Sequence, residues 1–236
     1  MACRLGLLIL AAASVTACTK QDLVGGSTKQ AETTIPTDGF LPQPALLAAN
    51  TGVWSYSYLK PGVDFGAYTS VYIAPVAIMS GPASQLANLP QDQRLRLANT
   101  FYSDVYGAVK KSCKVAARPG RGVVSFKLAL SDATASDTAV KTVATYAPYL
   151  GTVYSAGSFA FNGGVGYFSG TATAEGYATD GATGALLWQG VDKRGGNVPI
   201  VQDTTDNWLD VHHVFETWAE QMVQRLQQLG ICPPPA

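Results

Sequence analysis

The strongest constraint on the fold lies near the end of the chain. Trp208, Val211, Phe215, Trp218, Met222, Leu226 and Leu229 recur in steps of three and four, the spacing that sets side chains along one face of an α-helix. Thr205 or Asp206 is placed to cap its start and Gly230 its end, and prolines follow. A helix that carries its bulky aromatics on one stripe needs an apolar layer to lie against.

That layer is written in a different period. Val124, Phe126, Leu128 and Leu130 alternate with Ser125, Lys127, Ala129 and Ser131, the pattern of a half-buried strand. Trp54 to Tyr58 alternates in the same way. Tyr68 to Pro75 reads as a buried strand that Pro75 ends. Lys60-Pro61-Gly62-Val63-Asp64 forms a turn between these two. Pro90 suits the first position of a helix, and Leu95, Ala98, Tyr102, Val105 and Val109 carry helical spacing to about Ser112. Val115-Ala116 is a short strand before the Pro119–Gly122 turn. Gly170 to Thr179 and Ala185 to Lys193 flank a turn at Asp180–Gly184, which makes a hairpin. The expected fold is α/β, an α+β sandwich: a mostly antiparallel sheet with two long helices on one face. The expected order is β-α-β-β, an insertion, then β-β-α. The insertion, residues 138–168, mixes clustered glycines with Tyr149, Tyr154, Phe159, Phe161, Tyr167 and Phe168. It reads either as a loop whose aromatics cap the core or as an aromatic surface for a partner or membrane. Its glycines lack the Gly-Lys-Ser/Thr of a phosphate cradle.

The start of the chain bears on location. Met1-Ala2-Cys3-Arg4 carries one positive charge, and Leu5 to Ala13 is apolar apart from Gly6. A spanning helix takes about 20 apolar residues, so this run reads as a secretory signal. It ends in Val15-Thr16-Ala17-Cys18, which resembles a bacterial lipobox: an aliphatic residue, two small ones, then a cysteine whose thiol takes a diacylglyceryl group. The alternative is an ordinary signal cut after Ala17. Residues 1–17 are expected to leave as the signal, and Cys18 to carry lipid. Residues 18–38, rich in Thr, Ser, Gln and Gly, are expected to form a flexible tether. Residues 39–232 are expected to form one periplasmic domain. An aspartate after the lipidated cysteine favours inner-membrane retention; Thr19 stands there instead, which points to an outer-membrane anchor facing the periplasm.

With Cys3 leaving and Cys18 lipidated, Cys113 and Cys232 remain, and in an oxidising compartment they are expected to pair. The alternative is two buried thiols. Neither has close His or Cys neighbours to complete a metal set, so no metal and no cofactor is expected. The 16 basic and 16 acidic residues cancel, leaving no basic excess for nucleic acid.

Three groups of residues are candidates for chemistry. His212 and His213 are adjacent on the last helix and so point apart; His212 sits beside Phe215 as a core-edge residue. No serine stands in Gly-x-Ser-x-Gly. Asp132, Glu175 and Asp192 are the candidates for a glycosidase-type carboxylate pair, although strand carboxylates usually face water, and Asp64 and Asp132 equally suit turn caps. Asp192-Lys193-Arg194 is a dense run of charge, either a recognition edge or the solvated end of an edge strand. No catalytic residue is assigned.

Several segments in order resemble DUF3313, a bacterial lipoprotein family of unknown function. They are Gly39-Phe40-Leu41, Lys60-Pro61-Gly62-Val63-Asp64, Pro119-Gly120-Arg121-Gly122-Val123 and Leu128-Ala129-Leu130-Ser131-Asp132. The hairpin from Ala174-Glu175-Gly176 through Thr183-Gly184 to Asp192-Lys193-Arg194 also fits, as does the last helix with Phe215 and Trp218-Ala219. The resemblance covers roughly residues 39–229 and is weakest over 138–168. It implies no activity and no catalytic residues. The expected role is a non-enzymatic envelope accessory or scaffold, held to the membrane by the lipid on Cys18 and acting on an envelope protein partner. A module binding lipid or cell-wall glycan in a groove beside residues 138–168 is the alternative, and a hydrolase is disfavoured.

Overall fold

The computed structural model describes residues 28–50, 53–136, 169–196 and 206–234. In chain order the elements are β1 (Thr28–Gln30), β2 (Ala48–Ala49), β3 (Tyr56–Leu59), β4 (Ser70–Ile73), β5 (Ala77–Ile78), α1 (Gln91–Ser112), β6 (Val123–Thr134), β7 (Thr171–Asp180), β8 (Leu186–Gly196) and α2 (Leu209–Gln228). The strands form one eight-stranded sheet in the order β2-β3-β8-β7-β6-β4, with β1 also on β8 and β5 also on β6. β4 and β5 run parallel to β6, and the other pairings are antiparallel. The result is the expected mostly antiparallel sheet with two long helices.

Three details differ from expectation. Five strands precede α1, where the expected order has one and the residue patterns give two. β1, β2 and β5 are only two or three residues long, too short to print a period on the sequence. Thr28–Gln30, expected within the tether, pairs with Arg194–Gly196 of β8, because the backbone bonds of a strand need no apolar side chains. Val115 makes a single bridge to Val71 instead of a strand.

The helices carry the apolar stripe, with one change of phase. Leu97, Ala98, Phe101, Val105 and Val109 of α1 are buried, while Leu95 is 47% exposed. Leu95 lies two residues, about 200° of helical rotation, from Leu97. In α2 the buried set is Val211, Val214, Phe215, Trp218, Ala219 and Leu226. Asp206 accepts from the Trp208 amide at 2.8 Å just before the helix, and Gly230 ends it with φ +75°. Thr205 lies outside the described residues. Phe101 stacks on Phe215 (4.8 Å between centroids) and leans on Trp218 (5.3 Å), so α1 and α2 meet through aromatic rings. Burial of each such side chain is worth about 1.5–3 kcal/mol.

A disulfide joins Cys113, just past α1, to Cys232, just past α2 (Cα–Cα 5.0 Å). It closes a loop of 119 residues, for which chain entropy gives an upper limit of about 4–5 kcal/mol.

The opposite face of the sheet is crossed by residues 31–47. The Ala31 amide donates to the Lys193 carbonyl, Phe40 packs on Tyr177 (5.3 Å), and Gln43 exchanges hydrogen bonds with the Gln189 side chain. This strap buries Leu41 and covers Gln189. Both faces of the sheet centre are therefore withdrawn from water.

Candidate functional site

Strand alternation sends neighbouring residues of β8 to opposite faces. Asp192 points toward the helices and is 0% exposed. Its Oδ1 accepts from Gln30 Nε2 (2.9 Å), the Ser55 amide (3.0 Å) and Ser55 Oγ (2.8 Å). Its Oδ2 accepts from Arg194 Nε (2.8 Å) and Trp218 Nε1 (2.8 Å). Arg194 is itself buried, and its other nitrogens reach Thr28 Oγ1 and the Val53 carbonyl. One carboxylate thus ties β1, the loop before β3, β8 and α2 together. Asp192 and Arg194 form neither a recognition edge nor a solvated edge. β8 is an inner strand, flanked by β7 on one side and by β1 and β3 on the other, so its charges are buried and pair with each other. Lys193, between them, is partly exposed.

Glu175 of β7 lies on the strap side and is also 0% exposed. Among the described residues no well-formed hydrogen bond reaches either of its oxygens. Burial, then the neighbouring Asp38 carboxylate, pushes its pKa up to about 8, with Ser131 opposing. Asp132 is elsewhere again: it accepts from the Gln85 amide (2.8 Å) and Ser84 Oγ (3.3 Å), capping the short turn that leads to α1. Asp64 caps another turn through the Gly66 amide. The three strand carboxylates are therefore not brought together, and Asp192 and Glu175 face opposite sides of the sheet.

His212 lies against Phe215 (6.4 Å) and beside Asp206 (Nδ1–Oδ2 3.7 Å). Across the helix pair, burial and Glu216 raise the pKa of Asp104, while His212 lowers it. The His213 backbone carbonyl accepts from Thr217 Oγ1 (2.8 Å). Among the described residues no group of three His, Cys, Asp or Glu side chains is placed to hold a metal. Cys18 and the segment 138–168 lie outside the described residues.

Among the described residues a cavity of about 360 Å³ lies between the helices and the β3–β8–β6 part of the sheet. Phe101, Val105, Trp218 and Leu226 form its floor, and Trp54, Trp188, Leu59 and Phe126 its walls. Trp54 meets Trp188 edge to face (5.0 Å) and stacks on Trp218 (6.2 Å). Two opposed glycines make room for this arrangement. A Cβ on Gly190 would lie 2.8 Å from the Trp188 ring and 3.0 Å from that of Trp54. One on Gly176, its partner across the strands, would lie 2.8 Å from Leu128 and 3.2 Å from Trp188. The polar lining is Asn50, Ser57, Gln221 and Arg225. Sequence reasoning missed this site because its lining comes from five separate segments; the paired glycines beside Trp188 were the available signal. The groove expected beside residues 138–168 falls, with that segment, outside the described residues.

A family model described as a protein of unknown function, DUF3313, matches residues 37–222. The chain belongs to the DUF3313 family. The DUF3313 match takes in most of the strap, seven of the eight strands, α1 and most of α2. Among solved structures the chain shows a distant likeness to the PelC dodecamer from Paraburkholderia phytofirmans. A leucine-to-methionine variant of that protein has 10% identity over 70% of this chain and 93% of that one (TM-score 0.37). A second PelC crystal form gives 9%, 70%, 94% and 0.36. A DUF4136 family protein from Bacteroides thetaiotaomicron has 13% identity over 75% of this chain and 95% of that one, with a TM-score of 0.28. No curated protein shows significant similarity to the chain.

Proposed function

We propose that this DUF3313 protein is a lipid-anchored, non-catalytic accessory of the bacterial envelope, facing the periplasm from the outer membrane and acting through contacts with an envelope protein. The observation that carries this reading is which cysteines are joined. Processing and lipidation would consume Cys3 and Cys18, and the two that remain, Cys113 and Cys232, are the bonded pair. A structural disulfide suits an exported domain. The lipobox-like Val15-Thr16-Ala17-Cys18 and the following Thr19 supply the anchor and its membrane. Two or three acyl chains, at about 0.8 kcal/mol per buried CH₂, hold a protein firmly on a bilayer. Expression in a Gram-negative host with labelled palmitate tests the reading. The wild-type chain should take label and fractionate with the outer membrane, and Cys18→Ser should take none; equal labelling of the two would overturn it.

A second reading, a lipid-binding module, is favoured by one observation. The aromatic cavity has an apolar floor and a few polar groups in its lining, the usual composition of a small-molecule site.

A further inference from the structure

We infer that the aromatic cavity takes the chain of a single-chain anionic amphiphile, such as a medium-length fatty acid, with Arg225 meeting its headgroup; this deepens the lipid-binding reading and rests on it. The floor is apolar throughout: Phe101, Val105, Trp218 and Leu226 are each at most 2% exposed. The one polar group that the Trp218 ring brings, Nε1, is turned away to Asp192 Oδ2. Water in such a cavity would find few partners, whereas a hydrocarbon chain loses nothing there. The size, about 360 Å³, lies at the small end of ligand sites, which favours one chain over several.

The polar lining comes from two elements. Asn50 and Ser57 come from the β2–β3 hairpin, and Gln221 and Arg225 from one face of α2, four residues apart. Among the described residues Arg225 is the sole charged one in the lining, and its exposed guanidinium spends a single donor on Gln228 Oε1 (3.1 Å). The planar fork of the others matches a carboxylate. Gln221 Oε1 is buried with no hydrogen-bond partner. Its amide can turn to present a donor or an acceptor to a headgroup. Val53, 40% exposed, adds an apolar lip. Charge, size and apolar depth together point to an anionic head on one acyl tail.

The test uses the full chain carrying Cys18→Ser, oxidised so that Cys113 and Cys232 are joined, with cis-parinaric acid as the probe. Tryptophan-to-probe energy transfer should saturate at one probe per chain, and laurate should displace it. Met222→Trp, which fills the cavity from α2, should abolish uptake while thermal unfolding stays cooperative. Arg225→Gln should weaken laurate on the order of tenfold and leave dodecanol unchanged. Absence of saturable uptake overturns the inference, as does uptake unaffected by Met222→Trp. Displacement by muropeptides but not by laurate overturns it in favour of a glycan site. Palmitate labelling at Cys18 is independent of these readouts, so a labelled protein without uptake loses this inference and keeps the anchor.

Discussion

Neighbouring strands at the centre of the sheet each bury a carboxylate, Asp192 toward the helices and Glu175 toward the strap, and the two faces treat them in opposite ways. Asp192 accepts five hydrogen bonds from four residues and pairs with a buried arginine. Among the described residues Glu175 completes no such bond; its polar neighbours are the Asp38 carboxylate, which raises its pKa, and the Ser131 hydroxyl, which opposes the rise. The helix face is thus a finished assembly, where ionic groups lock segments that are far apart in sequence. The strap face holds a carboxyl group whose burial favours its neutral form. Burial alone therefore does not say whether a charge stabilises this fold; the partners do.

The largest effect is expected at the finished face. Asp192→Ala leaves Arg194 buried without its anion and strands the Trp218 and Ser55 donors. Breaking a buried pair in this way costs about 3–5 kcal/mol, to be read from urea unfolding. A cost below about 1 kcal/mol would mean that the hub is replaceable, and would erase the contrast with Glu175.

Glu175 should behave with the opposite sign. Its pKa is 4.5 in the unfolded chain and about 8 in the fold. Between those values the folded state holds the extra proton, so stability falls as pH rises and levels off above 8. At about 1.4 kcal/mol per pK unit, the loss across that window is on the order of a few kcal/mol. Glu175→Gln should remove most of the slope between pH 5 and 8 and stabilise the protein at pH 8.5. An unchanged slope, followed by thermal unfolding across the range, would show that the strap admits enough water to hold Glu175 ionised.

The contrast also explains what is legible in the sequence. The hairpin β7–β8 is readable because Asp180-Gly181-Ala182-Thr183-Gly184 is strong turn chemistry between two long runs, and both helices are readable from their period. Leu95 falls on the wrong face because the buried stripe is set by Leu97 and Phe101, more than roughly 90° of helical rotation away from it. Asp192 and Arg194 read as solvent-facing because charge in a strand usually is. Their partners, Gln30, Ser55 and Trp218, sit in three remote segments, and no local pattern announces a long-range polar hub. The cavity is hidden for the same reason. The disulfide, by contrast, needs only a count of the cysteines left once Cys3 and Cys18 are set aside.

Gly190 tests how tightly the helix face is finished. A Cβ there would meet Trp188 and Trp54 at or below 3.0 Å, and Trp54 also packs on Trp218 and Trp188 on Phe126. Gly190→Ala should cost about 1–3 kcal/mol through overpacking and shift the tryptophan emission as the rings move. The same substitution at exposed Gly62, where φ is +72° and nothing lies within 4 Å, strains only the backbone. It should leave the emission unchanged. Equal emission shifts for the two variants would mean that the rings at Gly190 yield freely.

The smallest effect is expected where the sheet ends in solvent. Tyr68 donates to Asp180 Oδ2 (2.9 Å), while Asp180 Oδ1 accepts from the Ala182 and Thr183 amides and from Thr183 Oγ1. Those bonds, the Thr183 amide foremost, hold the Asp180 pKa below its ordinary value. Burial, then Asp180, pushes the Tyr68 hydroxyl up to about 12. Tyr68→Phe removes one bond to a carboxylate that keeps three others and faces water, so the cost should be no more than about 1 kcal/mol. The sign of the pH effect follows from the two shifts. The depressed Asp180 contributes stability above its unfolded pKa and loses it as pH falls through the folded one. The raised Tyr68 keeps its contribution until pH climbs past 10, and loses it through about 12. In the variant the alkaline loss should shrink, and the phenolate absorbance titration should lack its highest-pH component. A cost as large as that of Asp192→Ala would show that this surface carboxylate anchors the fold as firmly as the buried one.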